Sequence, residues 1–199
     1  MGSRRVRGSL FVDYVRMIRG RKDIDWSRWL EPGDLALVAQ HVDVDAWYPM
    51  EVFERLGAAI LDTVGGGDLG AVRAWGRRSA DQLRDTFPSL VVANDPRETL
   101  MRFQVVRQTF FDFAAVTVLE LSDLEARLRV GYEMAPRAES AAAFQVMGYF
   151  EQLLEQAGAE RVQAGFVKRR WEGDVETVLV LRWSRPAGAP GQPRAPRSL

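Results

Sequence analysis

The chain has 199 residues, in which 27 basic side chains balance 27 acidic ones, and it contains no cysteine. This length suits one compact domain with a sizeable core. The lack of cysteine excludes disulfide frameworks, cysteine nucleophiles and thiolate zinc sites. The balanced charge argues against nucleic-acid binding. Because no apolar run is long enough to span a bilayer and no signal-peptide pattern is seen, we expect a cytoplasmic protein without a membrane span.

Helices are predicted throughout the first half of the chain. Apolar residues recur there at spacings of three and four, which is typical of helices with one buried face. We expect Ser9 to cap the first helix, Asp34 to cap the second, and Pro49 to lie in the first turn of the third. Two more helices are predicted at about 69–85 and 96–113.

Three consecutive glycines, Gly65 to Gly67, raise the question of a phosphate-binding loop. Such a loop needs a Lys-Ser or Lys-Thr pair at the start of its helix, and a dinucleotide fingerprint needs a preceding strand. Here Asp68 follows the glycines and a helical pattern precedes them. We therefore predict that the glycines end one helix in left-handed conformations and that Asp68 caps the next. Gly70 and Gly76 in that helix indicate a close neighbour.

The apolar pattern changes to alternation near residue 114. "AAVTVLELS" and "EARLRVGYEM" predict one antiparallel hairpin, and "RVQAGFVKRRW" and "VETVLVLRW" predict another with Gly173 in its turn. A helix over 138–157, ended by Gly158, separates them. The predicted fold class is α+β: a helical half, about 9–113, packs on a four-stranded antiparallel sheet of β-β-α-β-β order, about 114–184. The proline-rich tail, 185–199, is predicted to be disordered.

Few side chains are candidates for chemistry. His41 is the single histidine, and we expect a surface residue rather than a metal ligand. Asp112, in "TFFDFAA", caps a helix, pairs with Arg107 or is exposed. Arg107 shares a helical face with Phe103 and Phe110, so its guanidinium needs an ion-pair partner, an anionic ligand or a route to solvent. With these candidates we expect no catalytic site, no metal and no cofactor.

Several segments resemble a known superfamily over residues 6 to 184. They are "VRGSLF", then "WYPMEVFERLGAAI" followed by "GGGDLGAVRAWGR", then "LRVGYEMAPR" and "AGAERVQ". The superfamily comprises haem-based nitric-oxide/oxygen-binding domains, 4-vinyl-reductase-like ligand-binding domains and stand-alone proteins of myxobacterial type. The resemblance implies a regulatory fold, mostly non-catalytic, that holds a ligand between helices and sheet or forms dimers.

The residues that hold haem in this superfamily are only partly present. Its Tyr-x-Ser-x-Arg motif is similar to Tyr132-Glu133-Met134-Ala135-Pro136-Arg137, in which Met134 replaces serine and Arg137 comes one residue late. The haem-binding histidine of the family is implied near Met101 to Phe103, where this chain has none. The resemblance therefore implies a haem-free member. Nor does the chain have the paired cysteines found in the last hairpin of the 4-vinyl-reductase-like branch.

The leading functional expectation is a non-catalytic regulatory or signalling module that contacts a partner protein or a second copy of itself. Surface tryptophans such as Trp26, Trp29 and Trp171 are candidates for the contact patch. The alternatives are a sensor of an apolar or acidic small molecule, with Arg107 or Arg137 meeting its charge, and an enzyme of unknown type. Candidate ligand-lining residues are Trp47, Tyr48, Phe103, Arg107, Phe110, Tyr132 and Arg137.

Overall fold

The computed structural model describes residues 4–185 and is of mixed α+β class, as predicted. In this part of the chain the helices are α1 (Gly8–Gly20), α2 (Pro32–Ala39), α3 (Met50–Thr63), α4 (Leu69–Thr86), α5 (Pro96–Val106) and α6 (Pro136–Gln156). The strands are β1 (Arg5–Arg7), β2 (Trp47–Pro49), β3 (Val116–Leu121), β4 (Glu125–Val130), β5 (Glu160–Lys168) and β6 (Thr177–Ser184).

The main sheet has four antiparallel strands in the spatial order β3-β4-β6-β5. The two hairpins, β3–β4 and β5–β6, are joined by α6, which packs against both α4 and the sheet. One continuous buried cluster joins helices and sheet. Its fully buried members include Phe11, Leu56, Leu100, Leu128, Phe150 and Leu179.

The glycine segment behaves as the sequence indicates. Gly66 and Gly67 have φ angles of +59° and +76°, which are left-handed conformations favoured by glycine. The Asp68 carboxylate accepts the Gly70 N–H at 2.8 Å and caps α4. In the same way Gly158, at φ +88°, ends α6, and Gly173, at φ +106°, lies in the β5–β6 turn. The predicted helix junction is confirmed, with left-handed backbone at Gly66 and Gly67 but not at Gly65.

Several predicted boundaries are wrong. α1 begins at Gly8 with Arg7, not Ser9, as its N-cap. Asp34 is the third residue of α2, where its carboxylate accepts the N–H of the N-cap Glu31 at 3.3 Å. Pro49 is itself the N-cap of α3.

The fifth helix is shorter than predicted, and one pair of strands was not predicted. α5 ends at Val106 and gives way to a 3-10 turn, 107–109, rather than continuing to residue 113. β1 and β2 form a separate two-stranded sheet, whose three-residue strands are too short to show alternation. The predicted tail, 185–199, lies outside the described residues except for Arg185, which pairs with Asp123 at 2.6 Å. None of the helices within residues 4–185 combines the length and apolarity that crossing a membrane requires.

Candidate functional site

Two of the predicted ligand-lining residues, Trp47 and Tyr48, lie on β2. The Tyr48 ring stacks on Phe11 of α1 with centroids 4.5 Å apart, and its hydroxyl accepts the Asp43 N–H at 2.9 Å. The Trp47 ring lies beneath the guanidinium groups of β1, with Arg7 5.0 Å from the ring centroid. Trp47 therefore packs against β1, and Tyr48 packs against α1.

Phe103 and Phe110 lie at a different place. Phe103, on α5, packs edge-on against Phe150 of α6 at 4.8 Å and against Tyr149 at 5.5 Å. Phe110, after the 3-10 turn, meets Phe87 edge-on at 6.0 Å. The structure thus separates the predicted aromatic set into contacts between different pairs of elements. Ligand binding by the set stays a prediction.

The two predicted arginine anchors have different surroundings. Arg107 is half-buried at the start of the 3-10 turn, where its Nε has no hydrogen-bond partner and the side chain forms no ion pair within residues 4–185. Asp112 pairs with Arg5 at 2.8 Å instead, so a pair with Arg107 is wrong. Arg137 pairs with Asp62, whose carboxylate accepts its Nε–H at 2.7 Å and raises the pKa of the guanidinium.

The helical half meets α6 through a polar contact inside an aromatic cluster. Tyr14 of α1 stacks on Phe53 of α3 at 4.4 Å, and its hydroxyl donates to Gln145 Oε1 of α6 at 2.9 Å. Tyr132, which follows β4, is buried and meets Phe111 edge-on at 5.4 Å. Burial raises the pKa of Tyr132, as does the nearby Tyr14 to a smaller extent, so its phenol stays protonated.

The segment after Tyr132 is held by contacts from Arg4, which precedes β1, and from Glu54 of α3. Arg4 donates to the carbonyl oxygens of Tyr132 and Glu133, and pairs with the Glu133 carboxylate at 3.2 Å. Glu54 of α3 accepts the Ala135 N–H at 2.7 Å. These bonds hold Glu133 in a left-handed conformation, φ +52°, which costs free energy in a residue other than glycine.

A cavity of about 320 Å³ lies beside this segment. Its wall consists of Met134, Pro136, Glu139, Arg170, Trp171, Gly173 and Asp174. Burial raises the pKa of Glu139, the only carboxylate in this wall that is fully buried. The sequence did not predict this site because Glu139 and Arg170 are distant from each other in the sequence. One local signal was present: Glu139 lies in the first turn of an alanine-rich helix that is mostly buried.

The predicted tryptophan patch is not uniform. Trp26 is buried, while Trp29 has 47% of its surface exposed. Trp171 is partly buried and meets Phe166 edge-on at 5.1 Å. Trp26 is therefore part of the core, and only Trp29 and Trp171 have surface available for contact.

The chain matches one known protein family and the fold of several solved structures. The family model described as "Protein of unknown function (DUF2378)" matches residues 35–184. The chain belongs to this DUF2378 family. No curated protein matches the sequence.

The chain also has the fold of H-NOX domains. A mutant of the T. tengcongensis H-NOX has 13% identity and a TM-score of 0.58, covering 90% of this chain and 98% of its own. The S. oneidensis H-NOX in its Fe(II)NO state has 10% identity and a TM-score of 0.59, covering 90% and 99%. The Fe(II) unliganded K. algicida H-NOX has 12% identity and a TM-score of 0.58, covering 90% and 97%. At these identities the likeness shows the fold.

Proposed function

We propose that this DUF2378 protein is a haem-free, non-catalytic regulatory module of the cytoplasm and a member of the superfamily. It acts by contact with a partner protein or with a second copy of itself. The observation that carries the proposal is the filled junction between the helical half and the sheet. There the chain's own side chains form one continuous core from α1 to β6.

Large apolar side chains from both sides of the junction between the helical half and the sheet are fully buried. Phe11 and Leu56 from the helical half, and Phe150 and Leu154 from α6, are all fully buried. Phe103 reaches α6 directly, in contact with Phe150. Because interiors pack at the density of organic crystals, a group as large as haem enters only if several of these side chains leave.

The residues present also do not fit haem ligation by the superfamily's pattern. His41, the single histidine, is exposed in the segment between α2 and β2, and there is no cysteine. Phe103 lies in the segment where the haem histidine is implied and packs on α6. Met134, in place of the motif serine, is buried and has no hydroxyl to offer a propionate.

Two of the three buried acids among residues 4–185 join elements of the fold, which supports the absence of catalysis. Asp34 forms a bidentate pair with Arg55, both hydrogen bonds being 2.7 Å long. Glu151 pairs with Arg73 and lies 3.8 Å from Arg77. Within residues 4–185 no group of three histidine, aspartate or glutamate side chains could hold a metal ion. These carboxylates join elements of the fold rather than converge on a cleft.

The ends of the sheet offer apolar surface for protein contact. Val175, in the β5–β6 turn, is 97% exposed, and Val167 on the edge strand β5 is 54% exposed. At the other hairpin, Leu119 and Leu124 are also exposed. Exposed apolar side chains near an uncovered strand edge are typical of surfaces that bind proteins.

A sensor function is the second candidate, and Arg107 is the observation that favours it. A half-buried guanidinium whose Nε lacks a partner within residues 4–185 can bind an acidic ligand. Arg137 is less suited to this role because Asp62 already pairs with it. Native mass spectrometry tests the sensor: an acidic molecule that co-purifies with the protein and is lost in Arg107→Gln supports it, and its absence contradicts it.

Two measurements on the purified full chain test the leading proposal. A pyridine haemochrome assay, with the T. tengcongensis H-NOX expressed in parallel as the positive control, is expected to find far less than one haem per chain. Sedimentation velocity is expected to show self-association that rises with protein concentration, or a complex with a partner. One haem per chain contradicts the haem-free function, and a monomer that forms no complex contradicts the interaction function.

A further inference from the structure

The cavity beside the Tyr132 segment is built from three parts of the chain. Met134 comes from the β4–α6 connection and Pro136 and Glu139 from the first turn of α6. The β5–β6 turn supplies the others, which are Arg170, Trp171, Gly173 and Asp174. Its volume of about 320 Å³ lies within the range of small-molecule sites, though near its lower end. It lies outside the aromatic junction in which Tyr14 contacts Gln145.

The cavity wall contains a buried acceptor that is only half used. Glu139 has no exposed surface, and its Oε2 accepts the Met134 N–H at 2.8 Å. Its Oε1 is buried and has no hydrogen-bond partner within the described residues. A buried polar atom without a partner is costly, and native structures rarely keep one without a reason. Oε1 therefore keeps the capacity to accept one further hydrogen bond, and Glu139 is part of the cavity wall.

A charge of opposite sign stands next to this acceptor. Arg170 Nη1 lies 3.9 Å from Glu139 Oε2 and donates to the Met134 carbonyl oxygen at 3.2 Å. The other N–H groups of the guanidinium have no side-chain or carbonyl partner among residues 4–185. The Arg170 side chain is 41% exposed, so these donors are open to an anion arriving from solvent.

The wall also contains the indole ring of Trp171 and the carboxylate of Asp174. Trp171 is held by aromatic contacts with Phe144 and Phe166, at 6.4 Å and 5.1 Å between centroids. Asp174, in the turn, accepts the Arg169 N–H at 2.6 Å. The site thus combines one buried anion, one partly exposed cation and an indole surface suited to a short hydrocarbon.

We infer that this cavity binds a small zwitterion of the α-amino acid class. Its ammonium donates to Glu139 Oε1, its carboxylate accepts from Arg170, and its side chain lies against Trp171. A simple anion meets repulsion from Glu139 and a simple cation meets repulsion from Arg170, whereas a zwitterion pairs with both. The ammonium and carboxylate of an α-amino acid share one carbon, which suits a carboxylate and a guanidinium whose nearest atoms, Glu139 Oε2 and Arg170 Nη1, are 3.9 Å apart.

Calorimetric titration of the full chain with three matched probes tests this site. They are L-leucine, 3-methylbutylamine, which lacks the carboxylate, and 4-methylpentanoate, which lacks the ammonium. L-leucine is expected to bind, and each singly charged analogue to bind on the order of tenfold more weakly or worse. Failure of L-leucine to bind at millimolar concentration, or equal binding of an analogue, overturns the inference.

Variants locate the binding within the cavity. Glu139→Gln and Arg170→Gln are each expected to weaken L-leucine binding on the order of tenfold. Arg169→Gln, next in sequence and paired with Glu172 on the surface, is the matched control and should bind as the parent does. Circular dichroism checks that each variant is folded. If Glu139→Gln unfolds, the L-leucine affinity of Arg170→Gln is the test of the site. Unchanged affinity in both cavity variants overturns the assignment of the site.

Discussion

Gly76 of α4 and Gly148 of α6 bring the backbones of their helices into direct contact. A Cβ atom on Gly76 would lie 1.9 Å from the Gln145 carbonyl oxygen, and one on Gly148 would lie 1.9 Å from the Arg73 carbonyl oxygen. Both distances are far below van der Waals contact. The α4–α6 pair therefore depends on the absence of a side chain at these two positions.

Replacement of either glycine by alanine is expected to destabilise the fold. Gly148→Ala should lower the free energy of unfolding by about 3 kcal/mol, because the added methyl meets a backbone atom that cannot move alone. Gly20→Ala is the control, since nothing lies within 4 Å of a Cβ there. Urea denaturation of the three proteins checks this, and equal midpoints for Gly148→Ala and Gly20→Ala would rule out the close helix contact.

Sequence reasoning succeeded where the signal is local. The spacing of apolar residues predicted the long helices, and Gly76 was expected to admit a close neighbour, which it does. Gly70 was given the same role, but a Cβ there meets only the side chain of Asp68. Local patterns do not tell which face of a helix another helix approaches.

Long-range pairing accounts for most of what the sequence did not predict. Glu125 of β4 pairs with Arg182 of the neighbouring strand β6 at 2.7 Å, although 57 residues separate the two in the sequence. Likewise Glu139 and Arg170 meet only after α6, β5 and the turn have folded, so no spacing in the sequence indicates the cavity that they share.

The buried carboxylate of Glu151 is expected to stabilise the same helix pair. It accepts the Arg73 Nε–H at 2.8 Å from α4 while only 3% exposed. Glu151→Ala should cost about 2 kcal/mol, a value kept modest because the Arg73 side chain is 45% exposed and remains solvated. Thermal unfolding against Glu98→Ala, which removes the surface pair with Arg102, measures the difference. If Glu151→Ala loses no more stability than Glu98→Ala, the Arg73–Glu151 pair contributes no more than an ordinary surface ion pair.

Glu139 is expected to make stability depend on pH. Burial raises its pKa, so the folded state binds the proton more tightly than the unfolded state does. Its contribution is therefore fully favourable below the ordinary glutamate pKa and is lost as the pH rises through the raised value. Glu139→Gln, which resembles the protonated form, should be more stable than the parent near neutral pH and equal to it in acid. Chemical denaturation across this range checks the sign, and parallel pH profiles would contradict it.

The buried tyrosines are expected to resist ionisation. Burial raises the pKa of Tyr14, Tyr132 and Tyr149, with smaller contributions from nearby acids or phenols for the first two. Their contribution to stability is present below the ordinary tyrosine pKa and is lost as the pH rises towards the raised values. In an alkaline titration, their tyrosinate absorbance should appear together with the loss of circular dichroism. Ionisation of all four tyrosines in the folded protein would contradict their burial.

A haemin titration of a gain-of-ligand variant tests most directly whether the junction is filled. Phe103→His places an imidazole on α5 in the segment where the superfamily's haem histidine is implied, while α6 remains in contact with that position. Absorption spectra of the parent and of folded Phe103→His are recorded as haemin is added. With a filled core, neither protein develops a Soret band that saturates at one haem per chain. A saturating one-to-one band in the variant would show that the junction opens to haem and that only the ligand was missing.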